Sequence, residues 1–210
     1  MTVVQSLLAF TAAAALLTVT PGLDTAMVLR TAAAEGPRRA ALAGLGINIG
    51  CLVWGAAVAT GLGALLTASQ TAFTALKWAG AAYLLWLGLK LILKPRQSFD
   101  LSAPGGGASG DDFAWMRRGL LTNLLNPKIG VFYVSLLPQF TPDGVAAGPF
   151  MFGLAVIHVL LSLLWFAVLI MATRPLAAAL RKPKVVGALD RLTGGVFIAF
   201  GLRLALDRAR

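Results

Sequence analysis

Two short segments set charged side chains beside helix-breaking residues: Thr20-Pro21-Gly22-Leu23-Asp24-Thr25 and Asn123-Leu124-Leu125-Asn126-Pro127-Lys128. Asp24 offers a carboxylate and Lys128 an ammonium, while Asn123 and Asn126, three apart, can share one helix face. Proline removes a backbone donor and clashes with the carbonyl one turn earlier, and Gly22 relaxes the backbone further. The chemistry on offer is recognition of charge by two opposite side chains and by the polar backbone of a broken helix. Asn48 and His158 add two isolated polar groups, expected to make interhelical hydrogen bonds more readily than ligand contacts. An imidazole ordinarily titrates near neutrality, so His158 and Asp24 are the candidates for moving a proton.

Covalent chemistry is not expected from this set. Membrane-embedded enzymes cluster Asp, His or Ser to bind a metal or activate a nucleophile, whereas Asp24 and His158 fall on separate segments. One histidine and no paired cysteine give little for a metal site, and a metal-ion transporter would want several such ligands. No cofactor is expected. Cys51 is the one cysteine, which excludes a disulfide framework within one chain.

The elements that must position these residues are membrane spans. Hydrophobic residues make up 58% of 210 positions and mean hydropathy is +0.82, too little polar surface to cover a soluble core. Residues 1–23, 40–76 and 144–173 carry no charge, and a span needs roughly 20 apolar residues. Weaker segments lie near 71–93, 118–140 and 185–206, with charges mostly near the ends, where long side chains reach the interface. The runs are continuous and rich in Ala, Leu and Gly, unlike the alternation of barrel strands. Residues 7–20 have no Lys or Arg before them, so a cleaved signal peptide is not expected. The expectation is an all-α integral membrane protein with about six spans, near 4–29, 40–66, 71–93, 118–140, 148–172 and 187–206, those numbered one and four being broken.

The net charge of +10 would suggest nucleic acid in a soluble protein. Here the loops between spans account for it, and no nucleic-acid partner is expected. Thirteen Lys and Arg (Arg30, Arg38, Arg39; Lys90, Lys94, Arg96, Arg117, Arg118; Arg174, Arg181, Lys182, Lys184, Arg191) fall on one side. The other side has Lys77, Arg203, Arg208 and Arg210. The positive-inside rule puts the first side in the cytoplasm and both termini outside. Residues 95–116 carry the Pro104–Gly110 run and Asp111-Asp112, a flexible cytoplasmic linker between two halves, 1–94 and 117–210.

The halves resemble each other. Gly88-Leu89-Lys90-Leu91-Ile92-Leu93 matches Gly201-Leu202-Arg203-Leu204-Ala205-Leu206, and Leu52-Val53-Trp54 matches Leu163-Leu164-Trp165. Pro21 interrupts the first span of one half, and Pro127 the first span of the other. A three-span repeat must insert its second copy inverted, a transporter architecture whose broken helices at matching positions point to the substrate site. A substrate carboxylate suits a half-helix N-terminus or Lys128, and an amine suits Asp24 or freed carbonyls. That pairing fits a zwitterion such as an amino acid; a direct Asp24–Lys128 salt bridge is equally compatible. Gly46-x-x-x-Gly50 is expected to serve close packing, within the chain or between copies in a homo-oligomer.

With these motifs in view, nearly the whole chain resembles the LysE/RhtB family of bacterial amino-acid exporters. The likeness rests on Pro21-Gly22 with Asp24, the Gly-rich second span through Trp54, and Leu76-Lys77-Trp78-Ala79-Gly80-Ala81-Ala82-Tyr83-Leu84. It continues through Asn123–Lys128 to Pro138-Gln139-Phe140. The resemblance implies a bacterial inner-membrane protein that exports amino acids or related small metabolites, driven by the proton gradient. Two positions depart from the family pattern. Leu23 stands where members commonly carry a second proline, and Cys51 where many have an acidic residue, which leaves fewer groups for proton coupling. A passive small-solute channel is the alternative reading.

Overall fold

The computed structural model describes residues 1–68, 70–95, 111–180 and 182–206. Most of the expected linker, with Arg96, Arg181, Arg208, Arg210 and the side chain of Lys77, lies outside the described residues. Among those described there are nine α-helices and no strand. They are α1 (Val3–Val19), α2 (Leu23–Glu35), α3 (Pro37–Ala68), α4 (Gln70–Leu93), α5 (Asp112–Leu124), α6 (Pro127–Leu136), α7 (Ala147–Met171), α8 (Thr173–Leu180) and α9 (Pro183–Leu206), with a 3-10 turn at Pro138–Phe140.

Local chemistry sets the ends. Thr2 and Gln5 form a reciprocal capping box at the start of α1. Asn126 caps α6, its side-chain oxygen accepting from the Lys128 amide at 3.1 Å, with Pro127 in the first turn. Gly36, at φ 90°, lets α2 turn sharply into α3. Around that turn Arg39 meets Glu35 at 2.5 Å and Arg38 meets Asp112 at 2.6 Å.

Three helices, α3 over Pro37–Gly61, α7 and α9, are long and apolar enough to cross a membrane. Two bent pairs qualify as one span each: α1 with α2 at 50°, and α5 with α6 and its 3-10 turn at 56°. Their breaks fall at Pro21 and Pro127, as the sequence predicts. The expected third span lies on α4, whose described apolar stretch is Trp78–Leu93. The chain is thus a multi-pass helical membrane protein with large apolar side chains such as Val53, Trp86, Leu160 and Leu164 on its outer face.

Packing wraps around α3, which runs along α5 and α7, while α4 runs along α9, α2 lies on α3, and α1 on α7. The core is aromatic where α1, α6 and α7 meet: Phe10 stacks with Phe132 at 6.0 Å and Phe140 at 5.5 Å between centroids. The Ser6 hydroxyl donates to the Phe140 carbonyl and ties α1 to the end of the second bent pair. A Cβ on Gly46 would overlap the Met116 carbonyl, one on Gly119 would overlap that of Ala43, and one on Gly50 would lie 2.6 Å from Asn123 Oδ1. The Gly46–Gly50 motif therefore serves packing inside the chain, holding α3 backbone to backbone against α5.

Gly46→Ala should lower the thermal unfolding midpoint in detergent, by overpacking worth about 1–3 kcal/mol. Gly61→Ala is the control, since nothing lies within 4 Å of its added Cβ. Equal midpoints for the two variants would show that the α3–α5 approach is not tight.

Candidate transport site at the two helix breaks

Pro21 has no N–H, so the Leu17 carbonyl at the end of α1 loses its helical donor. The chain is extended at Thr20, which frees the Thr20 carbonyl as well. Both carbonyls turn to the same atom: Lys128 Nζ donates to Leu17 O at 3.1 Å and to Thr20 O at 3.0 Å. A cation thereby sits at the negative end of the α1 dipole, a contribution of up to ~2 kcal/mol in a partly buried setting. A Cβ on Gly22 would come 3.5 Å from that nitrogen, an ordinary contact, so Gly22 lies directly beside the ammonium. Thr20 is held independently, its hydroxyl donating to Leu16 O at 2.7 Å and meeting Thr193 Oγ1 of α9 at 2.5 Å.

The second break closes on itself. The Asn126 amide donates to Asn123 O at 3.0 Å, and the Asn126 side chain caps α6. This frees the Asn123 side chain to reach across. Its Nδ2 donates to Asp24 Oδ2 at 2.9 Å and lies 3.4 Å from Cys51 Sγ. Asp24 is buried in the first turn of α2, where the helix dipole favours an anion. Its other oxygen, Oδ1, has no hydrogen-bond partner. Gly22 caps α2 without a side-chain bond, and the amides of the first turn have no acceptor within the helix.

Pro21 stands at this junction, and Gly22, Asp24, Asn126, Lys128 and His158 line one small cavity of about 30 Å³, together with Thr20, Cys51 and Ser162. That volume holds about one or two waters. Of the residues singled out from sequence, Asn123 sits at the cavity's edge through Asp24, and Pro127 lines a different cavity behind the break. Asn48 is set apart: its amide donates to Gly44 O of its own helix at 2.8 Å, and its oxygen has no partner. Its hydrogen bond stays within α3 rather than crossing to a neighbouring helix as expected. His158 Nδ1 pairs with the Tyr133 hydroxyl at 3.0 Å, and its ring packs 5.5 Å from Phe132.

Sequence reasoning missed four residues. Tyr133 and Ser162 lie in apolar stretches and read as core. Thr193, which braces Thr20, carried no signal. Asp190 did carry one, being a carboxylate inside an expected span, and it is fully buried in α9.

Known proteins place this geometry. The chain is 32% identical to an uncharacterized membrane protein of Vibrio cholerae, over 96% of this chain and 97% of the relative. It is 31% identical to the homoserine/homoserine lactone efflux protein of Salmonella typhi, over 92% of both. With the leucine efflux protein of Enterobacter sp. it shares 32% identity over 88% of both. No solved structure matches. Residues 15–208 match the family described as LysE type translocator, with both helix breaks and the cavity between them inside that range. The chain belongs to the LysE type translocators.

Proposed function

We propose that the chain is a secondary-active exporter of amino acids or related small metabolites, working by alternating access and coupled to protons. The observation that carries this reading is the junction of the two breaks. A cation from one broken helix closes the end of the other, beside a carboxylate with one oxygen left over. A substrate ammonium would take Asp24 Oδ1, and its carboxylate would meet the open first turn of α2 and Lys128, which then lets go of the carbonyls. The relatives named for efflux of homoserine and leucine support the direction and the substrate class. Asp24 and His158 line the same cavity as Lys128, a placement that suits proton exchange against substrate.

Six spans in two inverted halves, 1–94 and 117–210 joined by a cytoplasmic linker at 95–116, is the architecture this requires. The direction of helix packing is compatible with it. In a two-fold arrangement, if one residue meets a second, their counterparts must meet in exchange. The register that matches Gly88 to Gly201 also matches Ala81 to Gly194. A Cβ on Gly88 would lie 2.7 Å from Gly194 O, and one on Gly201 would lie 3.2 Å from Ala81 O. The register that matches Trp54 to Trp165 pairs Gly55 with Phe166 and Gly44 with Ala155. Gly55 lies against Ala155, and Gly44 against Phe166, with a Cβ 3.1 Å from its ring. Both helix pairs, α4 with α9 and α3 with α7, therefore run antiparallel, as two inverted halves would place them. The cavity is too small for an amino acid, so transport needs the halves to move apart.

In cells loaded with a mixture of amino acids, Asp24→Asn and Lys128→Ala should each cut efflux by about tenfold or more while the protein stays in the membrane. Normal efflux from both would remove these residues from the site. Export against a gradient should collapse when a protonophore is added; efflux that only ever runs downhill would identify a channel instead. A tag on the N-terminus should be reached by antibody in intact spheroplasts, both termini being outside. Labelling only after permeabilisation would reverse the orientation.

A further inference from the structure

Behind the second break lies a larger cavity of about 440 Å³, within the range of roughly 300–1,000 Å³ usual for small-ligand pockets. Asn126 belongs to both walls. Helix α6 divides them: Lys128 and Ile129 line the small polar cavity, while Pro127, Gly130, Val131 and Val134 line the large one. Helix α3 divides the same way, with Cys51 lining the first and Trp54, one turn on, lining the second. The two cavities are therefore neighbours across a single asparagine at a point where the helix is already interrupted.

Their linings differ in chemistry. Around the large cavity stand Trp54, Tyr83, Leu124, Leu125, Val131 and Val134, and none of the described residues lining it is Asp, Glu, Lys, Arg or His. A Cβ on Gly130 would come 2.9 Å from the Trp54 ring, so glycine there lets the indole close against α6 as one wall. A charged side chain brought into this space would be desolvated with no counterion. An apolar one would gain roughly 25 cal/mol for each Å² it removes from water.

We propose that this cavity receives the side chain of the transported molecule, and that the substrate is an amino acid with a sizeable aliphatic or aromatic side chain. The inference rests on the exporter reading and deepens it: the polar cavity takes the ammonium and carboxylate, and the apolar one discriminates what lies beyond the α-carbon. Displacement of the Asn126 side chain joins the two spaces. Asn126 is thus the gate between recognition of the backbone atoms and recognition of the side chain.

The test is efflux of leucine, alanine and threonine from loaded cells by the wild type and by Ala79→Phe and Val134→Phe, which fill the cavity from two sides. Ala79 lies on the exposed face of α4, so the first variant leaves the core undisturbed; membrane abundance is matched by immunoblot. The wild type should export leucine fastest. The variants should lose at least about tenfold of leucine efflux and keep alanine efflux within about twofold. Leucine efflux unchanged in both variants would show that the cavity does not receive the side chain and overturn the proposal. So would a wild type that exports threonine or alanine and not leucine. A wild type that moves none of the three, when the same cells export them through another carrier, would remove the exporter reading itself.

Discussion

One ammonium holds the centre of this molecule together. Lys128, from the second half, donates to the Leu17 and Thr20 carbonyls that Pro21 strips of their helical donors. In hydrocarbon such carbonyls are tolerated only where something else satisfies them, and a lysine at depth is tolerated only where it finds oxygen. Each defect is the other's remedy. The bend of 50° between α1 and α2 and the placement of Asp24 beside the cavity accompany that exchange.

Under the proposed function the same exchange would make the centre movable. A bond between a half-helix end and a lysine on another helix is weaker than a continuous helix, and in the proposed cycle a substrate carboxylate would replace the carbonyls as acceptor. The second break has no such dependence: its carbonyl and its cap are satisfied locally by Asn126. The two breaks are therefore alike in sequence position and unlike in energetics. One is a corner closed by its own residues that presents Asn123 to Asp24, and the other is an end held from across the molecule.

How far the sequence reaches depends on whether a feature is local. Pro21 and Pro127 announce breaks because proline acts on its own turn, and the charges beside them mark the junction. The partner of Lys128 is a pair of backbone carbonyls more than a hundred residues away, and no residue type reports that. Gly46-x-x-x-Gly50 announces a close approach, but the same motif would serve a second chain equally well; only the overlap with Met116 and the mirrored overlap of Gly119 with Ala43 assign it to α5. The bond of Asn48 shows the same limit. A polar side chain within a span needs a partner, and Gly44 of its own helix supplies one. Tyr133 was hidden because a phenol in an apolar run reads as core until His158 is seen against it.

The measurement that bears most directly on this account is a double-mutant cycle between Pro21 and Lys128, read as thermal unfolding in detergent. Pro21→Ala restores an N–H one turn after Leu17, so its carbonyl no longer needs the ammonium. Lys128→Ala should then cost less stability in the Pro21→Ala background than in the wild type, with a coupling of about 1 kcal/mol or more. Strictly additive effects would contradict the account, because they would mean that the lysine and the broken helix end do not sustain each other.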